Sequence, residues 1–295
     1  MKIATIIVTY NRKDMLRKCI LANLSQTYPL SKIIVVDNGS KDGTEEVIKE
    51  FGDKIVYLRY EKNLGSAKAF AEGLKYGIEN DFEWFWLMDD DCFPKEDALE
   101  KLTIFAIKNK NSIFGCLSVD PKTLESAWYK VRKVKNKVLC FEKSLSFNGF
   151  LIHKDAVEKI GYPCEDLFIR NDDREYSFRA KFYGINLFLV PNSILFHPMP
   201  KKDKEIKLFG RTIVNYKDED LFKKYISARN FVAVFLAYKK YIGIWFFLES
   251  VTRFLANIFF ELLVSKNKIT KFKNYLKAIK EGMILKNAVA KNIKK

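Results

Sequence analysis

The sequence predicts an α/β fold: a mostly parallel sheet flanked by helices, followed by a basic helical extension. Short apolar, β-branched runs alternate with helix-length stretches through the first hundred residues, the spacing of βα units. Polar residues gather where each run ends, and in such sheets ligands bind at the carboxyl ends of the strands. Charge is divided unevenly. Residues 1–200 hold 30 Lys+Arg against 28 Asp+Glu, whereas residues 201–295 hold 22 against 8. The chain thus divides into a nearly neutral globular part, residues 1–220, and a basic helical part, residues 221–295.

Ile3 to Val8 suits a strand buried on both faces. Thr9-Tyr10-Asn11-Arg12 breaks it, and a helix runs to about Leu24. Ile33 to Val36 is a second strand ending at Asp37; the turn from Asn38 to Gly43 follows, and Thr44 can cap the next helix. Ile55 to Leu58 is a third strand, with Asn63-Leu64-Gly65 as its turn and a helix to about Ile78. Trp84 to Met88 is a fourth strand, ending in Asp89-Asp90-Asp91, with a helix beginning near Pro94. Residues 112–152 read as further strands, including a hairpin-like piece around Val131–Phe141. Asp155 to Ile160 and residues 172–183 read as helices. Ile185–Val190 and Ser193–Phe196 close the sheet region, and from about Leu221 the pattern is helical.

With 48% hydrophobic residues in 295, the chain can bury a sizeable core, which excludes a mainly disordered protein. Seven prolines and thirteen glycines exclude collagen-like and Pro-rich scaffolds. Five cysteines without a CxxC pair read as buried thiols of a reducing compartment. Met1-Lys2 leads straight into a strand-like run rather than a signal-peptide pattern, so a cytoplasmic protein is expected.

Three constellations carry chemistry. Asp89-Asp90-Asp91 at a strand end are three carboxylates that repel one another unless a cation or solvent intervenes. A hard divalent ion, Mn²⁺ or Mg²⁺, suits such an oxygen cluster and also takes diphosphate oxygens; the bland alternative is a solvated acidic turn capping a helix. Asn171 to Tyr176 opens a helix that carries Arg179. A carboxylate there is stabilised in its ionised form, which suits a base for a hydroxyl proton; the alternative is an N-cap with a Glu175–Arg179 pair. His197 follows an apolar strand and becomes a ligand candidate only beside the acidic clusters. The other histidine, His153, reads as a surface-like helix start without a role.

These segments together resemble family 2 glycosyltransferases of the GT-A fold, and more closely their galactofuranosyl- and rhamnosyltransferase-like branch. The matching text is IIVTYNR, VVDNGSKDGT, NLG, WLMDDD, FNGFLIHKDAVEKIG, NDDREYSFRAKFYG and LFHP, over roughly residues 1–230. The resemblance implies that Thr9 and Asp37 contact the nucleotide, with Tyr10, Asn11, Arg12 and Asn63 lining the same pocket. It implies that Asp89 and Asp91 hold the metal with His197, that Asp90 sits by the ribose or donor sugar, and that Asp173 is the catalytic base with Asp172 beside it. Where that branch often has a glycine-rich run after NLG, this chain has Ser66-Ala67-Lys68-Ala69-Phe70. Lys68 is a candidate diphosphate contact or a solvated helix residue, and Trp128 lies in a segment that could face an acceptor or the core. The implied function is inverting, metal-dependent transfer of galactofuranose, rhamnose or another hexose from a UDP- or dTDP-linked donor to a lipid-linked cell-surface glycan.

Ile242 to Val264 is long enough to span a bilayer, but Glu249, Arg253, Asn257 and Glu261 form a polar stripe every four residues, which weighs against a lipid-exposed span. Ile269, Phe272, Leu276, Ile279 and Met283 form an apolar stripe flanked by Lys271, Lys273, Lys277 and Lys280, the pattern of a helix lying on an anionic membrane surface. A helical cap or dimerisation element, hence a homo-oligomer, is the alternative. Localisation on the inner face of the cell membrane follows. Two other functions compete. A nucleotidyltransferase would leave Asp173 and the tail unexplained. A nucleic-acid-binding protein would line a groove with charge and aromatics, whereas the excess here is confined to the tail, so no nucleic-acid partner is expected.

Overall fold

In the computed structural model, which describes residues 1–126, 140–141, 143–198, 202–208, 211–216, 221–264 and 267–293, β1 (Ile3–Thr9) is buried at every residue. Its neighbours bury both faces as well, because helices cover the sheet on each side. Ile6, Val8, Ile34, Val36, Phe85 and Leu87 pack with Phe70 and Leu74 on one face. Ile3, Ile7, Ile33, Val35, Trp84, Trp86 and Met88 pack with Leu16, Cys19, Ile20 and Leu99 on the other. This is the period-two alternation of strands, and each large side chain so buried contributes about 1.5–3 kcal/mol.

Two compact units are present, Met1–Phe168 with Asp172–Met199, and Ile169–Asn171 with Pro200–Lys295. The first holds β1, α1 (Lys13–Leu24), β2 (Lys32–Asp37), α2 (Thr44–Lys49), β3 (Ile55–Arg59), α3 (Ser66–Glu79), β4 (Trp84–Asp89), β5 (Phe93–Pro94), α4 (Ala98–Ala106), β6 (Ser112–Val119), β7 (Cys140–Phe141), β8 (Phe150–His153), α5 (Lys154–Ile160), α6 (Asp172–Phe182) and β9 (Asn186–Phe196). The sheet order is β3-β2-β1-β4-β8-β6-β9-β5, with β7 also on β9. β3, β2, β1 and β4 are mutually parallel. Their register sets Thr9 beside Asp37, and Val8 beside Asp89, so the polar strand ends form one row. β8 then enters antiparallel between β4 and β6, bringing the residues before it to that same end.

The structure corrects several local expectations. Pro94 lies in β5, and the following helix starts at Ala98. The two predicted closing strands are one strand with a register shift. His153 is fully buried: it caps α5, with Nδ1 accepting from Asp155 N at 3.2 Å, and its ring meets Trp84 edge-on. Trp128 and most of the expected hairpin around Val131–Phe141 lie outside the described residues.

The second unit holds the antiparallel pair β10 (Lys202–Leu208) and β11 (Arg211–Tyr216), which the sequence pattern did not suggest, and the helices α7 (Leu221–Tyr238), α8 (Ile244–Val264) and α9 (Lys268–Lys291). Phe231 of α7 stacks on Phe254 of α8 with ring centroids 4.4 Å apart. Gly282 lets α9 approach the backbone of α7 at Arg229. Among the described residues, no helix is long and apolar enough to cross a membrane.

Candidate active site

At the carboxyl end of β4 the backbone turns, with Cys92 N donating to Asp89 O at 3.2 Å, and presents three carboxylates. Thr9, the last residue of the neighbouring β1, donates its hydroxyl to Asp90 Oδ2 at 2.7 Å. Arg12 reaches across from the β1–α1 loop to Asp90 Oδ1 at 3.1 Å and Asp91 Oδ2 at 2.6 Å. His197, just beyond β9, places Nε2 3.3 Å from Asp91 Oδ1. Residues 9, 12 and 91 converge because β1 and β4 are neighbours, and His197 joins them because β5, just after the acidic run, pairs with the end of β9 at Phe93 and Phe196.

One Arg and one His do not balance three acids. Burial, with repulsion from Asp91 and Asp90, pushes Asp89 up to about 7. Burial pushes Asp90 up to about 6 against the pull of Arg12 and Thr9. Burial also raises Asp91, but His197 and Arg12 outweigh it and hold Asp91 below the ordinary value. His197 shows the converse: burial lowers its pKa, yet Asp91 and Asp89 raise it on balance. Asp89 N donates to Asn148 Oδ1 at 3.2 Å; Asn148, which sequence reasoning passed over, arrives there because β8 runs antiparallel.

The loops around this row are tied to one another. Asn11, with a positive φ of 52°, donates its N–H to Ser40 Oγ and accepts from Lys41 N, both at 2.8 Å. Asp37 is fully buried, accepting from Ser40 N at 2.9 Å and from the Tyr57 hydroxyl at 2.6 Å. Asn38, also overlooked, accepts from Leu64 N at 3.2 Å, and Asn63 accepts from Gly65 N at 2.9 Å. Tyr10 is exposed. Lys68 lies on α3 in a half-exposed ion pair with Glu165, at 3.1 Å.

Asp172 and Asp173 open α6. Asp172 is buried, accepts the Ser66 hydroxyl at 2.7 Å, and is pushed up to about 7 by burial and by Asp173, against that hydrogen bond. Asp173 is only partly buried and accepts from Arg174 N at 2.7 Å. Glu175 and Arg179 form a buried pair at 2.7 Å, with Arg179 also donating to the carbonyls of Ile160 and Tyr162. The approach to α6 is tight. Gly65, with φ +82°, faces Phe168, whose carbonyl oxygen would lie 2.3 Å from any added Cβ. Ala67 N donates to that carbonyl at 3.1 Å. Only glycine fits, since both the space and the left-handed backbone exclude a side chain.

Comparison with known proteins identifies the family. The profile of Glycosyl transferase family 2 matches residues 4–164, more than half of the chain. The chain belongs to this family. Relatives include the galactofuranosyltransferase GlfT1 of Mycolicibacterium smegmatis, 26% identical over 77% of this chain and 81% of that protein. The dTDP-rhamnosyl transferase RfbF of Shigella flexneri is 24% identical over 95% of both chains. A solved mannosyltransferase, PcManGT from Pyrobaculum calidifontis in complex with GDP-Man and Mn²⁺, superposes with a TM-score of 0.63 at 15% identity, over 99% of this chain and 87% of that one. The fold of this family 2 transferase is GT-A.

The residues present fit a divalent cation. Asp91 Oδ1 is buried, lies 3.3 Å from His197 Nε2 and has no hydrogen-bond partner. Neighbouring ligands on an octahedral hard cation sit about 3 Å apart, so carboxylate and imidazole already stand near that spacing. Asp91, Cys92 and His197 are the trio, among the described residues, whose potential ligand atoms lie within 4.8 Å of one another. Asp89, expected as a ligand, is not in that trio.

Proposed function

We propose that this family 2 transferase passes galactofuranose or rhamnose from a UDP- or dTDP-linked donor to a hydroxyl of a lipid-linked glycan, by a single inverting displacement assisted by Mn²⁺ or Mg²⁺. The observation that carries the reading is the meeting of Asp91, Arg12 and His197 at the end of β4. It is supported by relatives named for galactofuranose and dTDP-rhamnose. In this reading Asp91 and His197 hold the cation with Asp89 nearby, and the bound cation supplies Lewis-acid stabilisation of the leaving diphosphate.

The chain's own residues do the rest. Thr9 holds Asp90 by its hydroxyl, and Asp90 takes a ribose or sugar hydroxyl. Arg12, half-exposed, offers its remaining N–H groups to the diphosphate. Asn11 and Asn63 hold the loops around the nucleotide, and Asp37 accepts from the base beside its bonds to Tyr57 and Ser40. Asp173, in the first turn of α6, is kept ionised by the helix N-terminus. It accepts the acceptor's hydroxyl proton as that oxygen attacks the anomeric carbon from the face opposite the diphosphate. The oxocarbenium-like transition state resembles that of glycoside hydrolysis. A panel of nucleotide sugars assayed for nucleoside diphosphate release, with and without chelator, tests this. Release from none of them, or undiminished release in chelator, refutes it.

We further propose that the basic helices rest on an anionic membrane surface at the inner face of the cell membrane. Ile269, Phe272, Leu276 and Met283 of α9 are exposed, and Lys273, Lys277 and Lys280 are exposed beside them. Buried apolar area and lipid charge then act together. Reversing the three lysines to Glu should weaken co-sedimentation with anionic vesicles more than tenfold, at about 1 kcal/mol per basic residue. Equal sedimentation of the two proteins refutes the contact.

A further inference from the structure

The cation site carries a donor that its carboxylate and imidazole do not require. Cys92 is fully buried, directly after the acidic run, and one ligand atom each of Asp91, Cys92 and His197 lies within 4.8 Å of the others. The turn closed by Cys92 N and Asp89 O, at 3.2 Å, sets this thiol directly after the three carboxylates. Sulfur gathers around it: Cys19 Sγ lies 3.9 Å from Met88 Sδ and 3.8 Å from Asp89 O, and Cys19 and Met88 pack in the same core cluster as Cys92. Asp91 Oδ1 is buried there, with His197 Nε2 3.3 Å away.

Oxygen and imidazole donors alone suit Mn²⁺ or Mg²⁺ and discriminate little among divalent ions. Adding a thiolate changes the ranking, because soft sulfur selects thiophilic metals. Tetrahedral N, O and S ligands on such an ion, at bond lengths of about 2.0–2.3 Å, stand roughly 3.3–3.8 Å apart, so the trio needs side-chain shifts of only about 1 Å. We propose that Cys92 is a third protein ligand of this site, giving it a second, thiophilic mode in which Zn²⁺, Cd²⁺ or Co²⁺ is held by Asp91, Cys92 and His197. In that mode the Cys92 S–H bond breaks, its proton leaves to solvent, and the sulfur electron pair forms the bond to the metal; nothing is oxidised or reduced. The inference rests on the same site as the proposed function but concerns a binding mode that needs no sugar donor.

The test is a titration of the full-length, chelator-stripped protein with Cd²⁺, followed by the ultraviolet sulfur-to-metal charge-transfer band, without nucleotide sugar. The wild type should develop the band at one equivalent. Cys92→Ser should abolish the band, whereas Cys164→Ser, with a buried thiol elsewhere, should keep it. His197→Ala, which retains the thiol, should weaken Cd²⁺ binding by at least the order of 10–100-fold that even loss of a residue hydrogen-bonded to a ligand costs; this variant decides the matter if Cys92→Ser does not fold. No band in the wild type, a band that persists in Cys92→Ser, or unchanged Cd²⁺ affinity in His197→Ala would each overturn the proposal. Because no donor is present, a failure of the sugar-transfer reading leaves these readouts intact, and the reverse also holds.

Discussion

Two clusters in this molecule bring carboxylates and cations together, and they do so in opposite balance. In the helical unit, Glu261 of α8 receives Lys224 at 2.9 Å, Lys271 at 2.7 Å and the hydroxyl of Tyr275. Burial works against its charge, but these partners win and hold it below the ordinary glutamate value. At the end of β4, three carboxylates share one Arg and one His, and Asp89 and Asp90 are left raised to about 7 and about 6. The first cluster is electrostatically complete and ties three helices together. The second is acid-rich by construction, and this unresolved repulsion is what a divalent cation would relieve. Completeness marks structure, and deficit marks a site.

The sharpest way to break that comparison is to change the proposed base. Asp173→Asn should lower turnover on the order of 10²–10⁴-fold while leaving the thermal midpoint nearly unchanged, since Asp173 is only partly buried; near-normal turnover would remove the assignment. On the structural side, Glu175→Gln strips the buried Arg179 of its charge partner and should cost about 3–5 kcal/mol in urea unfolding. A loss below about 1 kcal/mol would mean that the carbonyls of Ile160 and Tyr162 satisfy Arg179 alone.

Asp172→Asn should move stability the other way. Its folded-state pKa of about 7 lies above the ordinary 3.8, so above pH 7 the folded chain bears the cost of ionising a buried carboxyl. The wild type therefore loses stability as pH rises through about 7, and none of that cost exists below about pH 4. The Asn variant, still able to accept from Ser66, should be more stable by on the order of 2–4 kcal/mol at pH 8, with the gain vanishing near pH 4. A gain independent of pH would refute the cause. Glu261→Gln should cost about 1–3 kcal/mol by leaving buried partners unsatisfied, and Glu249→Ala, which breaks an exposed pair with Arg253, about 0.3–0.5 kcal/mol. If these two ranked in reverse, burial would not be what separates a structural pair from an ornamental one.

Much of the first unit is legible in sequence because its information is local. Apolar runs such as Ile3–Thr9 name their strands, and a parallel sheet gathers strand ends whatever the loops do, so Thr9, Asp37 and Asp89 were expected in one row and stand in one. The acidic run and the first turn of α6 were likewise visible as residue types at element boundaries. The contacts that give each residue its task were less so. Asp37 is bonded to Tyr57, Lys68 is paired with Glu165, and His153 is buried against Trp84. None of these partners lies within the stretch of chain that names the residue.

By itself, then, the sequence determined which segments become strands and helices, where their polar ends fall, and that the charge of the chain is carried by its last third. Periodicity, capping chemistry and composition are short-range properties of the chain. The tertiary structure alone decided that β8 runs antiparallel and delivers Asn148 to Asp89, that Ser66 clamps Asp172 across 106 positions, and that Cys92 comes within 4.8 Å of potential ligand atoms of Asp91 and His197. Those meetings depend on the order in which strands pair across the sheet. That order is set by how the whole core closes, which no local window of residues contains.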